Sequence, residues 1–426
     1  MTRFFILVFM LPAMLFAQDI TIEQCLEKTT ANYPLVKQFG LIDKTTGYNL
    51  SNLYTGYYPQ VSLSAKATYQ SEVTEIPASL GQALSKVTGQ NIQFSSVSKD
   101  QYQAMVEVSQ LVWDGGAIKA GAKAVKAGAE ADRQKTDVDL YALKDRVNNI
   151  YFGILLLDEQ LIQNGLLKTD LTTNYNRVGS YLRNGVANQT DLDAIKVELI
   201  NADQKEIELK SARRSYLAML SAFTGMKLDE NTRLSKPEQA DMVLDTPSKR
   251  PELEMLNAQR NMYESQRDAI KASSMPRIGA FVQGGYGRPG LNMLNNEFSP
   301  FYIAGLNLKW NISSFYTKRN SLRKIDENQK MIEVQREAFL FNNNLSNIQQ
   351  VNEYDRLKQV LKNDDEMIRL RNNIKKSSEA KVANGTLSVS DLIRDINAES
   401  NAKQTKAVHE IQLYSTVYQN KILLNK

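Results

Sequence analysis

Residues 184 to 192 read Asn184-Gly185-Val186-Ala187-Asn188-Gln189-Thr190-Asp191-Leu192. Residues 384 to 392 read Asn384-Gly385-Thr386-Leu387-Ser388-Val389-Ser390-Asp391-Leu392. The two stretches lie 200 positions apart, and Asn201-Ala202 returns at the same spacing as Asn401-Ala402. Each begins with Asn-Gly, a dipeptide that supplies the left-handed residue on which helices stop. Each then offers Thr190 or Ser390 as cap of a return helix, with Asp191 or Asp391 in its first turn. A second echo sits upstream. Pro34, Pro59, Val61 and Tyr69 correspond to Pro251, Pro276, Ile278 and Tyr286 at a spacing of 217. The chain reads as one structural unit written twice.

Proline-free runs precede both turns, from about residue 116 to 183 and from about 316 to 383. In the first, Leu140, Leu143, Val147, Ile150, Ile154, Leu157 and Leu161 alternate spacings of three and four, a coiled-coil seam. The second has a looser seam of Phe341, Leu345, Ile348, Leu357 and Leu361. A helix of about 70 residues is about 105 Å long. The return helix from Asp191 to about Phe223 would cover about 50 Å, and the one from about Arg250 to Ser274 about 40 Å. A C-terminal helix from Asp391 to about Leu424 and an N-terminal helix from Asp19 to about Tyr57 add about 50 Å each. Asp19 or Thr21 can cap the N-terminal helix, Pro34 interrupts it and Pro59 stops it. Each half is then one long helix beside two stacked short ones.

Between the helices lie segments of period two. Val61, Leu63, Ala65, Ala67 and Tyr69 alternate with polar residues, as do Tyr102, Ala104, Val106 and Val108. Their counterparts are Ile278, Ala280, Val282 and Tyr286, then Tyr302, Ala304, Leu306, Leu308 and Trp310. Residues 71 to 100 read as a polar loop. Strands of about ten residues suit either a soluble hairpin or a tilted membrane crossing. Tyr57, Tyr58, Trp113, Tyr302 and Trp310 stand at or near strand ends, where membrane barrels carry aromatic girdles.

Residues 1–17, with Arg3 before the apolar Phe4–Phe16 stretch and Ala17 at its end, have the form of a secretory signal. The expected domains are then 18–224 for the first repeat, 225–249 for a linker containing Pro237 and Pro247, and 250–426 for the second repeat. One Cys, Cys25, and one His, His409, leave no disulfide, no His/Cys metal cluster and no nucleophile–His constellation. No catalytic residue, metal site or cofactor is expected. The net charge of +5 on a chain with 99 charged residues does not imply nucleic acid. No apolar run after the signal is long enough for a spanning helix, so any membrane entry must be by strands. Four strands cannot close a barrel, and an open edge cannot face lipid, so several copies would have to share one.

In order and spacing the chain resembles the TolC-like outer-membrane efflux protein family over essentially its whole length after the signal. The resemblance is carried by the doubled helix-strand-strand-helix-helix order and by Asn32-Tyr33-Pro34 with Lys249-Arg250-Pro251. It also rests on Pro59 and Pro276 at strand starts, Trp113-Asp114-Gly115-Gly116 after the second strand, and the two Gly-x-x-x-x-Thr/Ser-Asp-Leu turns. It implies a mainly α fold with a small β part. Four strands per protomer would contribute to a transmembrane β-barrel above a long coiled-coil α-helical barrel, in a homotrimer. It implies an outer-membrane location with a periplasmic extension, outer-membrane lipid around the barrel, and a periplasmic adaptor and inner-membrane pump as partners. The implied role is a passive exit duct for efflux or type I secretion. A periplasmic coiled-coil adaptor is the alternative reading.

The resemblance also assigns the turns. Asn184, Gly185, Thr190, Asp191, Asn384, Gly385 and Ser390 are expected at the adaptor contact, beyond their part in ending and starting helices. Asp391 falls where family members place an acid that rings the entrance, while Arg394 stands where a second acid would be expected and Asp395 follows. Asp391 is either such a ring or only a favourable first-turn acid, and Arg394 is placed to pair with it.

Overall fold

The computed structural model describes residues 19–92, 96–238, 241–242 and 247–425. The signal assigned to residues 1–17 lies outside them. Two compact units are present, each assembled from separated segments of the chain.

The first unit comprises residues up to Gln38 with Lys135–Glu254 and Arg336–Lys426. It contains α1 (Ile22–Asn32), α5 (Leu143–Arg183), α6 (Gln189–Thr224), the C-terminal part of α8 (Ser314–Ala383) and α9 (Val389–Leu424). Thr21 caps α1 in a full capping box with Gln24. Pro34 breaks the helix as expected, into a single 3-10 turn. The first-half seam is buried from Leu140 to Ile154, with Val147 and Ile154 at 0% exposure. Tyr151, Phe152 and Leu155 join it in a core shared with Ile22, Cys25, Leu217, Leu220, Leu234, Ile411 and Tyr418.

The second-half seam departs from expectation. Leu357 is fully buried, but Phe341, Leu345 and Ile348 are exposed at 64%, 50% and 49%. The 3-4 spacing is real; no other element among the described residues covers that face. Val197, Ile200 and Ile207 form a comparable exposed stripe on α6. The linker holds no regular element among its described residues, apart from a parallel bridge between Leu234 and Ile20.

The second unit comprises Phe39–Gln134 and Met255–Gln335. It holds α2 (Lys37–Tyr54) from Phe39 on, most of α4 (Ala117–Tyr141) and α7 (Pro251–Ser273), the start of α8, and one four-stranded sheet. The strands β1 (Gln60–Tyr69), β2 (Asp100–Trp113), β3 (Arg277–Arg288) and β4 (Ser299–Lys309) are antiparallel in the order β1-β2-β3-β4. Asp114 ties down the start of α4, its carboxylate accepting from the Gly116 and Ile118 amides at 2.8 and 2.6 Å.

The segment 71–100 is not all loop: α3 (Ala78–Thr88) occupies its centre and ends on the left-handed Gly89. The long first-half run is cut at Ala142, although that residue keeps helical angles.

Candidate functional site

Two features of the fold stand out as functional candidates, the sheet and the pair of helix-ending turns. In the sheet, the pairing sorts every alternating segment onto common faces. Val61 lies opposite Val108, Leu63 opposite Val106 and Ala65 opposite Ala104. Val108 then pairs with Val282, and Ala104 with Tyr286. Val282 pairs with Ala304, and Ala280 with Leu306. One face is therefore apolar across all four strands, and it is exposed: Leu63 at 78%, Leu306 at 77%, Tyr302 at 79%. The other face carries Ser62, Ser64, Lys66, Gln103, Glu107, Gln283 and Asn307, with Gln283 donating to Glu107 at 2.6 Å. Phe281 and Phe301 also lie there, each opposite a glycine, Gly305 and Gly285 respectively. A β-carbon on Gly285 would lie 2.5 Å from the Phe301 ring and 2.9 Å from the Ala104 carbonyl. Strands of 10 to 14 residues match a tilted crossing of a hydrocarbon layer.

The turns are built alike. At the first, the Gly185 amide donates to the Leu182 carbonyl at 3.1 Å and the Val186 amide to Tyr181 at 2.9 Å. At the second, Gly385 donates to Val382 at 3.0 Å and Thr386 to Lys381 at 2.9 Å. These are paired Schellman bonds, which satisfy the last carbonyls of a helix and require a left-handed residue. Gly185 and Gly385 supply it with φ of 74° and 67°. Both turns close over one apolar cluster that includes Leu171, Val178, Ile195, Val382, Val389, Leu392 and Ile396. The residues Asn184, Gly185, Thr190, Asn384, Gly385 and Ser390 are all exposed, and Asp191 is half-buried.

The return helices are not capped by Thr190 and Ser390. Asn188 and Ser388 cap them, two positions earlier. The Asn188 side chain accepts from the Asp191 amide at 2.9 Å, and Asp191 accepts from the Asn188 amide at 3.1 Å. The Ser388 hydroxyl accepts from the Asp391 amide at 3.1 Å and donates to its carboxylate at 2.7 Å. The cap must precede the first helical residue by one, and Thr190 and Ser390 are already inside the helix. The first-turn acids Asp191 and Asp391 are thus partners of their caps.

Arg394 pairs with Asp391 at 2.8 Å. Its counterpart in the first half is Ala194. The Ser388 hydroxyl, with Arg394 beside it, holds the Asp391 carboxyl below its ordinary value. Asp395 does not join the pair; it accepts from Ser378 of α8 at 2.6 Å.

A buried ion network below the turns escaped the sequence reading. Lys375 of α8 donates to Asp170 of α5 at 2.8 Å and to Glu399 of α9 at 3.1 Å. Glu399 is 2% exposed and also meets Lys403 at 2.5 Å. Burial alone would lower the Lys375 pKa, but the Asp170 and Glu399 carboxylates outweigh it and hold it above the ordinary lysine value. The signal was present: Val389, Leu392, Ile396 and Glu399 continue one 3-4-3 stripe, so Glu399 is a charge at a core position.

Sequence comparison with family models and with characterised proteins gives no match. Comparison of the fold does. The outer-membrane channel OprN superposes with a TM-score of 0.67 and 13% identity, over 95% of this chain and 89% of that one. CusC, described by its transmembrane channel formation, gives 0.68 and 12% identity over 95% and 91%. The Campylobacter jejuni CmeC outer membrane channel gives 0.64 and 13% over 95% and 85%. With α-helices over most of its length, one small antiparallel sheet and this extent of superposition, the chain has the TolC-like fold.

Proposed function

We propose that this chain is the outer-membrane exit duct of a multicomponent efflux or type I secretion system, working as a homotrimer. The observation that carries the reading is the open sheet, with a continuous, exposed apolar face and two edges that no other strand among the described residues pairs. In lipid such edges must be paired, and a closed barrel is the only arrangement that pairs them. Three copies supply twelve strands, above the minimum of about eight for a single-chain membrane barrel. The polar face then lines the lumen and the apolar face meets outer-membrane lipid. The uncovered stripes on α6 and α8 support the same assembly, since they differ and lie on different helices, as a ring of head-to-tail contacts requires. The outer-membrane channels among the fold neighbours point the same way.

In this reading the two turns form the periplasmic end. Asn184, Gly185, Thr190 and Asp191, with Asn384, Gly385 and Ser390, meet a periplasmic adaptor that couples the duct to an inner-membrane pump. Asp391, paired with Arg394, faces the entrance, and transport is passive, without catalysis or cofactor. Fractionation of cell membranes followed by mass measurement of the detergent-extracted protein tests the proposal. The expected result is outer-membrane recovery at three protomer masses. A soluble monomer, as the adaptor alternative allows, would refute it.

A further inference from the structure

The chain's positive charge is concentrated in one place. Segments 114–126, 267–277 and 309–324 together hold eleven Lys and Arg against two Asp, a surplus of nine, whereas the whole chain carries +5. The remaining residues are therefore net negative by four. All three segments belong to the second unit, and all lie where strands and helices meet: the start of α4, the end of α7 and the start of α8. One of the two acids, Asp114, is buried with its carboxylate on the amides that open α4. The other, Asp268, pairs with Lys123 at 2.7 Å. Lys119, Lys126 and Lys271 are exposed and have no ion-pair partner among the described residues.

These lysines line a groove of about 920 Å³ together with Tyr54 and Tyr57. The start of α8 shows the same chemistry. Trp310 follows Leu308 at the end of β4, and its indole donates to the Ser274 carbonyl at 3.2 Å. Lys318 donates to the Ser274 hydroxyl at 2.8 Å and lies 5.1 Å from the Phe315 ring, which packs edge-on against Trp310. Lys318 thus sits against Phe315, which in turn packs on Trp310 at the end of the apolar face. An aromatic belt with lysine beside it is the chemistry of a lipid headgroup layer, with rings at the boundary and ammonium groups reaching phosphate.

We infer that this basic collar docks anionic phospholipid headgroups of the leaflet nearest the helices, fixing the depth at which the sheet sits in the membrane. The inference rests on the membrane reading of the sheet, and the occupant follows from charge complementarity and from continuity with the apolar face.

The test uses the full chain and a Lys119→Gln/Lys126→Gln/Lys271→Gln variant, each reconstituted into phosphatidylcholine nanodiscs with and without phosphatidylglycerol. Lipid retained after detergent extraction is counted by mass spectrometry. Enrichment of phosphatidylglycerol on the unaltered chain, weakened by salt, is the expected result. At about fivefold per basic side chain, the three substitutions should reduce it on the order of a hundredfold. Equal retention of both lipids by the unaltered chain overturns the proposal, and this arm does not depend on the variant folding. Unchanged lipid retention in the variant, with a shifted ion-selectivity reversal potential, also overturns it, by placing the collar in the lumen. Failure of the unaltered chain to enter nanodiscs of either composition is seen before any lipid is counted, and it sinks the membrane reading itself.

Discussion

Substitutions at Gly385 can separate what the second turn requires of its own backbone from what it offers a partner. The residue has φ of 67°, and a β-carbon built on it meets nothing within 4 Å. Any ordinary side chain there costs the left-handed conformation, about 1–2 kcal/mol, and no clash. That raises local opening of the turn by a factor of about 5 to 30. Val382, Val389, Leu392 and Ile396 remain packed beneath it, so the helices and the assembled oligomer should survive. Gly385→Ala and Gly385→Trp pay the same strain, and Gly385→Asn pays less because Asn tolerates this region. The assay is cellular export of a pump substrate at matched levels of assembled protein. The expected order is near-normal export for Asn, a modest loss for Ala and a severe loss for Trp, since only bulk obstructs a docked adaptor. Normal export by Gly385→Trp would refute the contact. Equal loss in Ala and Trp would assign the effect to strain and refute it as well.

Lys375→Met should cost about 3–5 kcal/mol of protomer stability in chemical denaturation, because Glu399 stays buried with one partner lost; Lys375→Met/Glu399→Leu should recover most of it. Lys375 has a raised folded-state pKa, so its contribution is complete at neutral pH and is lost only as pH rises through that value, above 10.5. Asp391 has a lowered one, so its charged form and its pairing are present above the ordinary aspartate range and are lost only as pH falls through the lowered value. Single-channel conductance and cation selectivity should therefore hold steady through mild acid and drop in Asp391→Ala; an unchanged variant would remove the residue from the entrance. In the sheet, Gly285→Ala should abolish the three-protomer mass of the detergent-extracted protein, and removing the Phe301 ring should not restore it, because the Ala104 carbonyl remains 2.9 Å away. Gly305→Ala should assemble, since only the Phe281 ring, at 3.1 Å, must yield.

Local chemistry made much of this fold legible. Strand faces follow from alternation alone, and Val61, Ala104, Val282 and Leu306 lie on the face their parity demands. The turns were legible because Asn-Gly has few uses at the end of a long apolar period. What the sequence hid depends on tertiary context. A capping role belongs to whichever side chain precedes the first helical residue, and two hydroxyls at Thr190 and Ser390 competed with Asn188 and Ser388 for it. The helix Ala78–Thr88 is short, with a glycine in its middle and no side-chain cap, so it carries little signal of its own. The seam at Phe341, Leu345 and Ile348 was visible as a period, but a period does not say whether the surface that covers it belongs to the same chain.

The core that joins Ile22 and Cys25 to Ile411 and Tyr418 bears on how the protein comes to be folded. Glu23 accepts a hydrogen bond of 2.6 Å from Tyr418, 395 residues later. Tyr141, near the end of α4, donates to the Ile422 carbonyl across 281 positions. The first helix therefore has no completed packing surface until the last one exists. A chain threaded through a membrane from its N-terminus would spend that whole passage with the apolar faces of both repeats open. Closing contacts of such separation are slow, because loop-closure entropy precedes any reward. A copy truncated before Tyr418 should therefore be degraded faster than the full chain in a pulse-chase measurement, because its first helix never gains that packing surface.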